Sequence, residues 1–440
     1  MPEPTITGDS AAAIADSVRD LIARGELRPG DVLPSVRALA AVRGVNRNTV
    51  AAGYAALAAA GIVETRRRGG TVVRALVPVA GEGASALGDA VNLADGNPDP
   101  ALLPALPDLR GYSTVLYGSP GIDERLGRWA ERHLLPDAGP DGALVLTHGA
   151  VDAVERVLSA HLTRGDAVAV EDPCFLSSIG TLRLNGYRPV PVPIDEHGMT
   201  TDGLRAALRA GVRAVVCTPR AHNPTGASLT ARRAEELRAL LAAHPEVLVI
   251  EDDHFSALAR TPYRRVTPVG TARWALVRSV SKFLGPDMRL ALTVCDRDTA
   301  DRLRARPAAA AWVSHVLQHL VAGVLTHSAT PARLDHAART YADRRRLLTD
   351  ALAAHDLSWS EAADGLNVWI PLAGVPEAVV VNALADHGWA VRPGSLFTLA
   401  HGPAIRVTTS TLLPEHADAF AARLATTLAS ITSESPCSPA

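Results

Sequence analysis

Lysine is all but missing from this chain. Of its 44 basic side chains only one, Lys282, is a lysine. Arginine serves wherever a charge alone is needed, but a guanidinium keeps its proton at any pH a protein survives. A lysine amine in a desolvated or cationic site can lose its proton and attack a carbonyl carbon to form a Schiff base. Two readings of Lys282 follow: a nucleophilic amine, or one cation left by chance on a solvated face.

Other shortages narrow the classes. The four cysteines, Cys174, Cys217, Cys295 and Cys437, lie far apart. That excludes close metal-ligand spacing and suits reduced thiols in a cytosolic protein. No apolar run approaches the roughly 18 residues of a membrane helix, and the N-terminus lacks a basic-then-apolar export pattern, so a cytoplasmic location is expected. A net charge of −2 gives no whole-molecule attraction to nucleic acid. His315 and His319 are spaced i, i+4, but no carboxylate joins them on that face, and no metal is assigned.

The chain is long enough for more than one domain at 440 residues. Its first 75 residues carry a local excess of arginine over carboxylate. Ile14, Val18, Leu21 and Ile22 recur at helical spacing up to Gly25. Pro34 and Ser35 open a short second helix with Val36, Leu39 and Ala40 inward. Asn46 caps a third, in which Val50, Tyr54 and Leu57 share a face while Arg47, Asn48 and Thr49 crowd the first turn. That is a helix-turn-helix pattern. Two β-prone runs around Arg66, Arg67 and Arg68 then suggest a hairpin whose tip either contacts phosphate or is a solvated turn.

Residues 76–91 read as a Gly/Ala-rich tether. From Ala143 onward, six apolar runs alternate with amphipathic segments: Ala143–Leu146, Ala167–Val170, Ala214–Cys217, Val247–Ile250, Ala275–Val277 and Leu290–Val294. This predicts an α/β domain with a parallel sheet covered on both faces. Ligands of such sheets sit beyond the carboxyl ends of the strands, where Gly149-Ala150-Val151, Phe175, Asn223, the Glu251-Asp252-Asp253-His254 run, Ser279, Lys282 and Arg289 fall. Helix-start amides suit a phosphate, and an acidic pair ending an apolar strand needs a cation. Phe175 fits either a ring cover or core packing. Together the groups supply handles for an aldehyde, a phenol, a pyridine nitrogen, a phosphate and a ring face.

The N-terminal segment resembles the GntR-type winged helix, through Gly30-Asp31, Leu33-Pro34-Ser35, Arg37, Leu39-Ala40, Arg47-Asn48-Thr49-Val50, Tyr54, Leu57, Gly61 and Gly70-Thr71. Residues from about 92 to 430 resemble fold-type I aminotransferases, through Tyr117-Gly118, Asn223-Pro224-Thr225-Gly226, Asp252, Ser279-x-Ser281-Lys282 and Arg289. Together they resemble MocR-type regulators.

The resemblance implies a winged helix over 1–75 and an aminotransferase-like domain over 92–431 with a small α+β part from about 340; the tether over 76–91 lies between them, and 432–440 at the chain end is expected to be a disordered tail. It implies pyridoxal 5'-phosphate bound as a Schiff base to Lys282, with Asp252 at the pyridine nitrogen. Asn223 and His254 would stand near the phenolic oxygen and Phe175 on the ring. The phosphate would meet Ser279, Arg289, the amides of Ala150 and Val151, and Tyr117 from a partner subunit.

Arg406 would take a substrate carboxylate, while Arg37, Arg47, Asn48, Thr49, Arg66, Arg67 and Arg68 would face an operator. The implied protein is a homodimeric transcriptional regulator sensing an amino compound or the cofactor. The alternative is a working aminotransferase. Two departures bear on turnover. His254 stands where the family places tyrosine, with a charge expected to respond to pH, and Ala150 and Val151 offer the phosphate only backbone.

Overall fold

The computed structural model describes residues 5–66, 70–74, 81–83, 88–139, 141–305, 312–362 and 364–434. The chain divides into two compact units, Met1–Pro78 with Leu184–Tyr187, and Val79–Arg183 with Arg188–Ala440.

In the first unit the expected helices form at Ala11–Ala23, Val36–Arg43 and Arg47–Ala59. Each begins at a polar side chain that accepts an otherwise unpaired backbone N–H: Ser10 from Ala13, Ser35 from Ala38, Asn46 from Asn48. Gly44 closes the second helix at φ 67°, in the left-handed region glycine tolerates. Ile14, Val18, Leu21, Leu39, Val50, Tyr54 and Leu57 form one buried core, and the Tyr54 hydroxyl donates to the Pro34 carbonyl at 2.9 Å. The strands Val63–Arg66 and Gly70–Val73 pair antiparallel, with Val32 bridging to Val72. This is the wing.

The second unit is built on an eight-stranded sheet. All six apolar runs form strands within it, at Ala143–Thr147, Ala167–Asp172, Ala214–Cys217, Leu248–Asp252, Trp274–Ser279 and Ala291–Cys295. Ala291–Cys295 runs antiparallel to both its neighbours, Trp274–Ser279 and Ala143–Thr147. A further strand, Arg188–Asp195, pairs in parallel with Ala167–Asp172. Its Pro189, Pro191 and Pro193 conceal it in the sequence, since proline lacks a ladder donor. Prolines at every second position place all the missing donors on one side, where, among the described residues, Ile194 and Asp195 pair with Gly198–Met199 and the Pro193 carbonyl accepts from Thr200.

The C-terminal part packs the helices Thr330–Ala354, Glu377–Ala385 and Pro414–Glu434 with a three-stranded sheet of Asn367–Pro371, Ala404–Thr408 and Arg392–Pro393. Leu348, Leu352, Val368, Ile370, Val380, Ile405, Val407, Phe420 and Leu424 form its core. Two details differ from expectation. The last helix continues to Glu434, into the stretch read as a tail, and residues 435–440 lie outside the described residues. Within the stretch read as a tether, Val91 already pairs with Trp389 as part of a short parallel strand, and Glu82 is held by side chains of the second unit.

Candidate functional site

A cavity of about 250 Å³ opens at the carboxyl ends of the parallel strands. Nine of the sequence-selected residues line it: Lys282, Asp252, Asn223, His254, Phe175, Ser279, Arg289, Ala150 and Val151. They come from the carboxyl ends of five strands and the connections that follow them, brought together because those strands belong to one sheet. Tyr117 is not among the lining residues. It is 91% exposed and packs edge-on against Trp312.

One end of the cavity gathers donors suited to an anion. The helix Ala150–His161 starts from Gly149 with no side-chain cap, which leaves its first amides open. Gly149 has φ 94°, and a Cβ there would lie 2.7 Å from Nη2 of Arg289. Only glycine lets this guanidinium come so close to the turn, where Arg289 Nη2 donates to the His148 carbonyl at 3.1 Å. Ser279 and Ser281 stand beside it with their hydroxyl oxygens 3.0 Å apart.

The Glu251-Asp252-Asp253 run separates into three roles. Glu251 is enclosed, accepting from the Tyr263 hydroxyl at 2.9 Å and from the amides of Val266 and Thr267. Asp253 is fully buried between two arginines: Arg220 binds both its oxygens at 2.8 Å, and Arg278 Nε donates at 2.7 Å. Asp252 alone lines the cavity. Its Oδ1 is enclosed without a hydrogen-bond partner, and burial, with Asp253 and Glu171 nearby, pushes its carboxyl up to about 7. An enclosed carboxylate oxygen without a donor fits a ligand that brings an N–H.

Lys282 lies on the short helix Ser281–Leu284, which follows the strand Trp274–Ser279. Its Nζ donates to the Gly96 carbonyl at 2.7 Å. Burial lowers the amine's pKa, Glu82 opposes the shift, and Arg406 adds to it. The expected pH response of His254 needs correction: burial and the neighbouring Lys282 charge push it down to about 4, so the ring is neutral across the physiological range.

Arg406 sits in the middle strand of the C-terminal sheet, completely buried, its guanidinium 4.8 Å from the Phe397 ring centre. Its partner is a carboxylate of the chain itself. Nη1 meets Glu82 Oε1 at 2.6 Å and Nη2 meets Oε2 at 2.8 Å. Asn223 joins this group, donating from Nδ2 to Glu82 Oε1 at 2.9 Å and accepting on Oδ1 from Arg406 Nη1 at 3.2 Å.

Three residues escaped sequence reasoning. Arg278 had a signal, being an arginine inside an apolar strand, which calls for a buried carboxylate. Arg220 lies three residues before Asn223 and carries no motif of its own. Glu82 had almost none, a lone carboxylate between two glycines in a stretch without periodicity.

His315 Nε2 lies 2.9 Å from the Pro120 carbonyl oxygen, and His319 Nδ1 lies 2.8 Å from Arg125 Nη2. Each ring thus has its own protein partner. In the first unit Arg37, Arg47 and Asn48 are exposed and Thr49 is half-buried. Arg66 ends a wing strand, and Arg67 and Arg68 lie outside the described residues.

Residues 10–73 match the family of bacterial regulatory proteins of the gntR type, and residues 90–424 match aminotransferase class I and II. The chain is 45% identical over 428 residues to the vitamin B6 salvage pathway transcriptional repressor PtsJ of Salmonella typhimurium, covering 95% of this chain and 98% of that one. It is 28% identical over 398 residues to the HTH-type pyridoxine biosynthesis transcriptional regulator PdxR of Corynebacterium glutamicum, covering 85% and 86%. Among solved structures, the kynurenine aminotransferase of Pyrococcus horikoshii superposes with a TM-score of 0.71 at 20% identity, over 80% of this chain and 92% of that one. That likeness establishes the fold. Among the described residues, no helix is long and apolar enough to cross a membrane.

Proposed function

Since this chain belongs to the MocR-type regulators, in which a GntR-family domain precedes an aminotransferase class I and II domain, we propose that it is a DNA-binding transcriptional regulator that reads a vitamin B6 compound or an amine at Lys282. Its cofactor is pyridoxal 5'-phosphate, which supplies an aldehyde carbon and an electron-withdrawing ring when bound.

The observation that carries this reading is the enclosed, partnerless Oδ1 of Asp252 in the lysine-lined cavity. Asp252 holds a proton at the ring-nitrogen position. The neutral His254 and the Asn223 amide orient the phenolic oxygen, and Phe175 covers the ring face. Arg289, Ser279 and the amides of Ala150 and Val151 bind the phosphate, with Gly149 keeping room for the guanidinium. Lys282, its pKa lowered by burial, presents a deprotonated amine more readily than a solvated lysine would. Arg37, Arg47, Asn48 and Thr49 meet DNA, together with the wing arginines Arg66, Arg67 and Arg68. Ligands in the relatives' own pathways, B6 salvage and pyridoxine synthesis, direct the choice of effector toward B6 compounds.

The functional assembly is a homodimer in the cytoplasm. Supporting this, Leu116 and Tyr117 are 70% and 91% exposed on one segment, the segment expected to reach a second copy's phosphate site. A working aminotransferase is the weaker reading, because an amino-acid carboxylate needs Arg406, and Glu82 holds it.

The test is titration of purified protein with pyridoxal 5'-phosphate, followed by visible absorbance and by retention of a DNA fragment from beside the gene. A protein-bound band that disappears in Lys282→Ala, with DNA retention altered by the cofactor, supports the reading. A band that persists in Lys282→Ala refutes the lysine assignment.

A further inference from the structure

The group on Arg406 has the form of a bound substrate carboxylate. Glu82 meets the guanidinium with both oxygens, and the Asn223 amide adds a third donor to Oε1. Among the described residues Glu82 is the carboxylate in contact with Arg406, whose side chain is wholly enclosed. A guanidinium buried in this way is strongly unfavourable without an anion. Gly96 backs the arrangement: a Cβ there would overlap the Glu82 carboxyl group, while the Gly96 carbonyl receives Lys282 Nζ. The same pocket wall thus holds the internal carboxylate and aims the cofactor lysine.

We propose that Glu82 is a specificity-determining residue, an internal occupant of the carboxylate subsite. With it in place the cavity accepts pyridoxal 5'-phosphate and carboxylate-free amines and rejects α-amino acids. This rests on the reading of the cavity as a cofactor site with Arg406 as its carboxylate clamp. A tethered group competes at an effective concentration of about millimolar or above, so a free amino acid present below that level does not displace Glu82. The two-point geometry fills the Nη1–Nη2 edge, and Nη2 also donates to the Ala94 carbonyl at 2.9 Å, so the enclosed Nε alone offers a second carboxylate no two-point seat.

The experiment has two arms. In the first, cofactor-loaded protein is titrated with ethylamine and with L-alanine, which differ by the carboxylate, and the change in the visible band is followed. Wild type needs at least tenfold more L-alanine than ethylamine. Glu82→Ala and the shape-preserving Glu82→Gln lower that ratio by tenfold or more. An unchanged ratio in both variants overturns the proposal.

The second arm needs no cofactor. Acetate replaces the carboxylate that Glu82→Ala removes, so it raises the melting temperature of Glu82→Ala by several degrees more than that of wild type or of Glu82→Ala combined with Arg406→Ala. Equal shifts in all three overturn the proposal. If no form binds cofactor, the cofactor reading fails by itself, and the acetate arm still decides whether Glu82 occupies the Arg406 subsite.

Discussion

Asp252 and Asp253 are adjacent in the chain and electrostatically opposite. Asp253 is clasped by Arg220 and Arg278 with three bonds of 2.7–2.8 Å, and those guanidinium groups hold its carboxyl below the usual range against the opposing effect of burial. Asp252 has an oxygen with no partner and a carboxyl pushed up to about 7. One carboxylate closes a structural network, and the other keeps an enclosed oxygen without a partner at the cavity wall. The division follows from alternation at a strand end, where successive side chains leave the sheet on opposite sides.

Removing the structural member therefore costs stability. Asp253→Ala takes the counter-ion from the buried Arg220 and leaves Arg278 with Asp137 alone, and a loss of about 3–5 kcal/mol is expected for breaking such a pair from one side. Denaturant unfolding of the cofactor-free protein checks this. Asp252→Ala, which breaks no ion pair, shows a far smaller loss at neutral pH, and comparable losses in the two variants would refute the division.

The pH dependence of cofactor-free stability carries a paired signature. The Asp252 carboxyl has an ordinary value of 3.8 and a folded value of about 7. The folded chain holds this proton more tightly, so the contribution is full below 3.8 and is lost as pH rises to 7. His254 goes the other way, from 6.5 to about 4. Its contribution is full above 6.5 and is lost as pH falls to 4. The two offset each other over much of this window. Relative to wild type, Asp252→Asn makes stability climb more steeply from pH 4 to 6.5, and His254→Asn makes it fall from pH 4 to 7. Melting temperatures across that window test both slopes, and parallel curves for all three proteins would remove both assignments.

Much of the large unit was legible because its strands are short apolar runs and its ligand groups follow them. The proline-spaced strand Arg188–Asp195 was not, since proline counts against a strand unless one knows that its blank side meets almost no neighbour. The three short helices were legible through their caps, Ser10, Ser35 and Asn46. Among site residues, those beyond strand ends could be selected by position alone. Glu82 could not. Its partner Arg406 lies 324 positions away, and nothing local in a Gly/Ala stretch reports a contact made by the folded chain. The fate of His254 was likewise hidden, because the direction of its shift depends on burial and on Lys282 beside it.

Gly149 gives a test of the anion cradle that leaves the lysine chemistry intact. An alanine there must adopt φ near 94° and push against Arg289, a strain of about 1–3 kcal/mol. Gly149→Ala is expected to weaken pyridoxal 5'-phosphate by about tenfold or more, since each 1.4 kcal/mol is a factor of ten, while the position of the visible band on saturation stays that of wild type. Pyridoxal lacking the phosphate should bind the variant and wild type alike. Equal weakening for both ligands would place the effect on the ring rather than the phosphate.

The DNA-binding surface separates by salt dependence. Arg37 and Arg47 are exposed at the starts of the second and third helices. A side chain that neutralises one phosphate contributes about 0.9 to the slope of log affinity against log salt, whereas a base contact contributes about 1–3 kcal/mol of discrimination against the wrong base pair. Arg37 lies in the helix that crosses the backbone in this motif, and Arg47 opens the helix that enters the groove. Arg37→Ala should therefore reduce the slope by about one and weaken every DNA sequence alike. Arg47→Ala should lower affinity for the operator more than for unrelated DNA. Retention assays at several salt concentrations on both DNAs measure this directly, with the cofactor band as a control for folding. If Arg47→Ala weakens operator and unrelated DNA equally and lowers the slope by one, Arg47 is a phosphate contact, and base reading falls to Asn48 and Thr49.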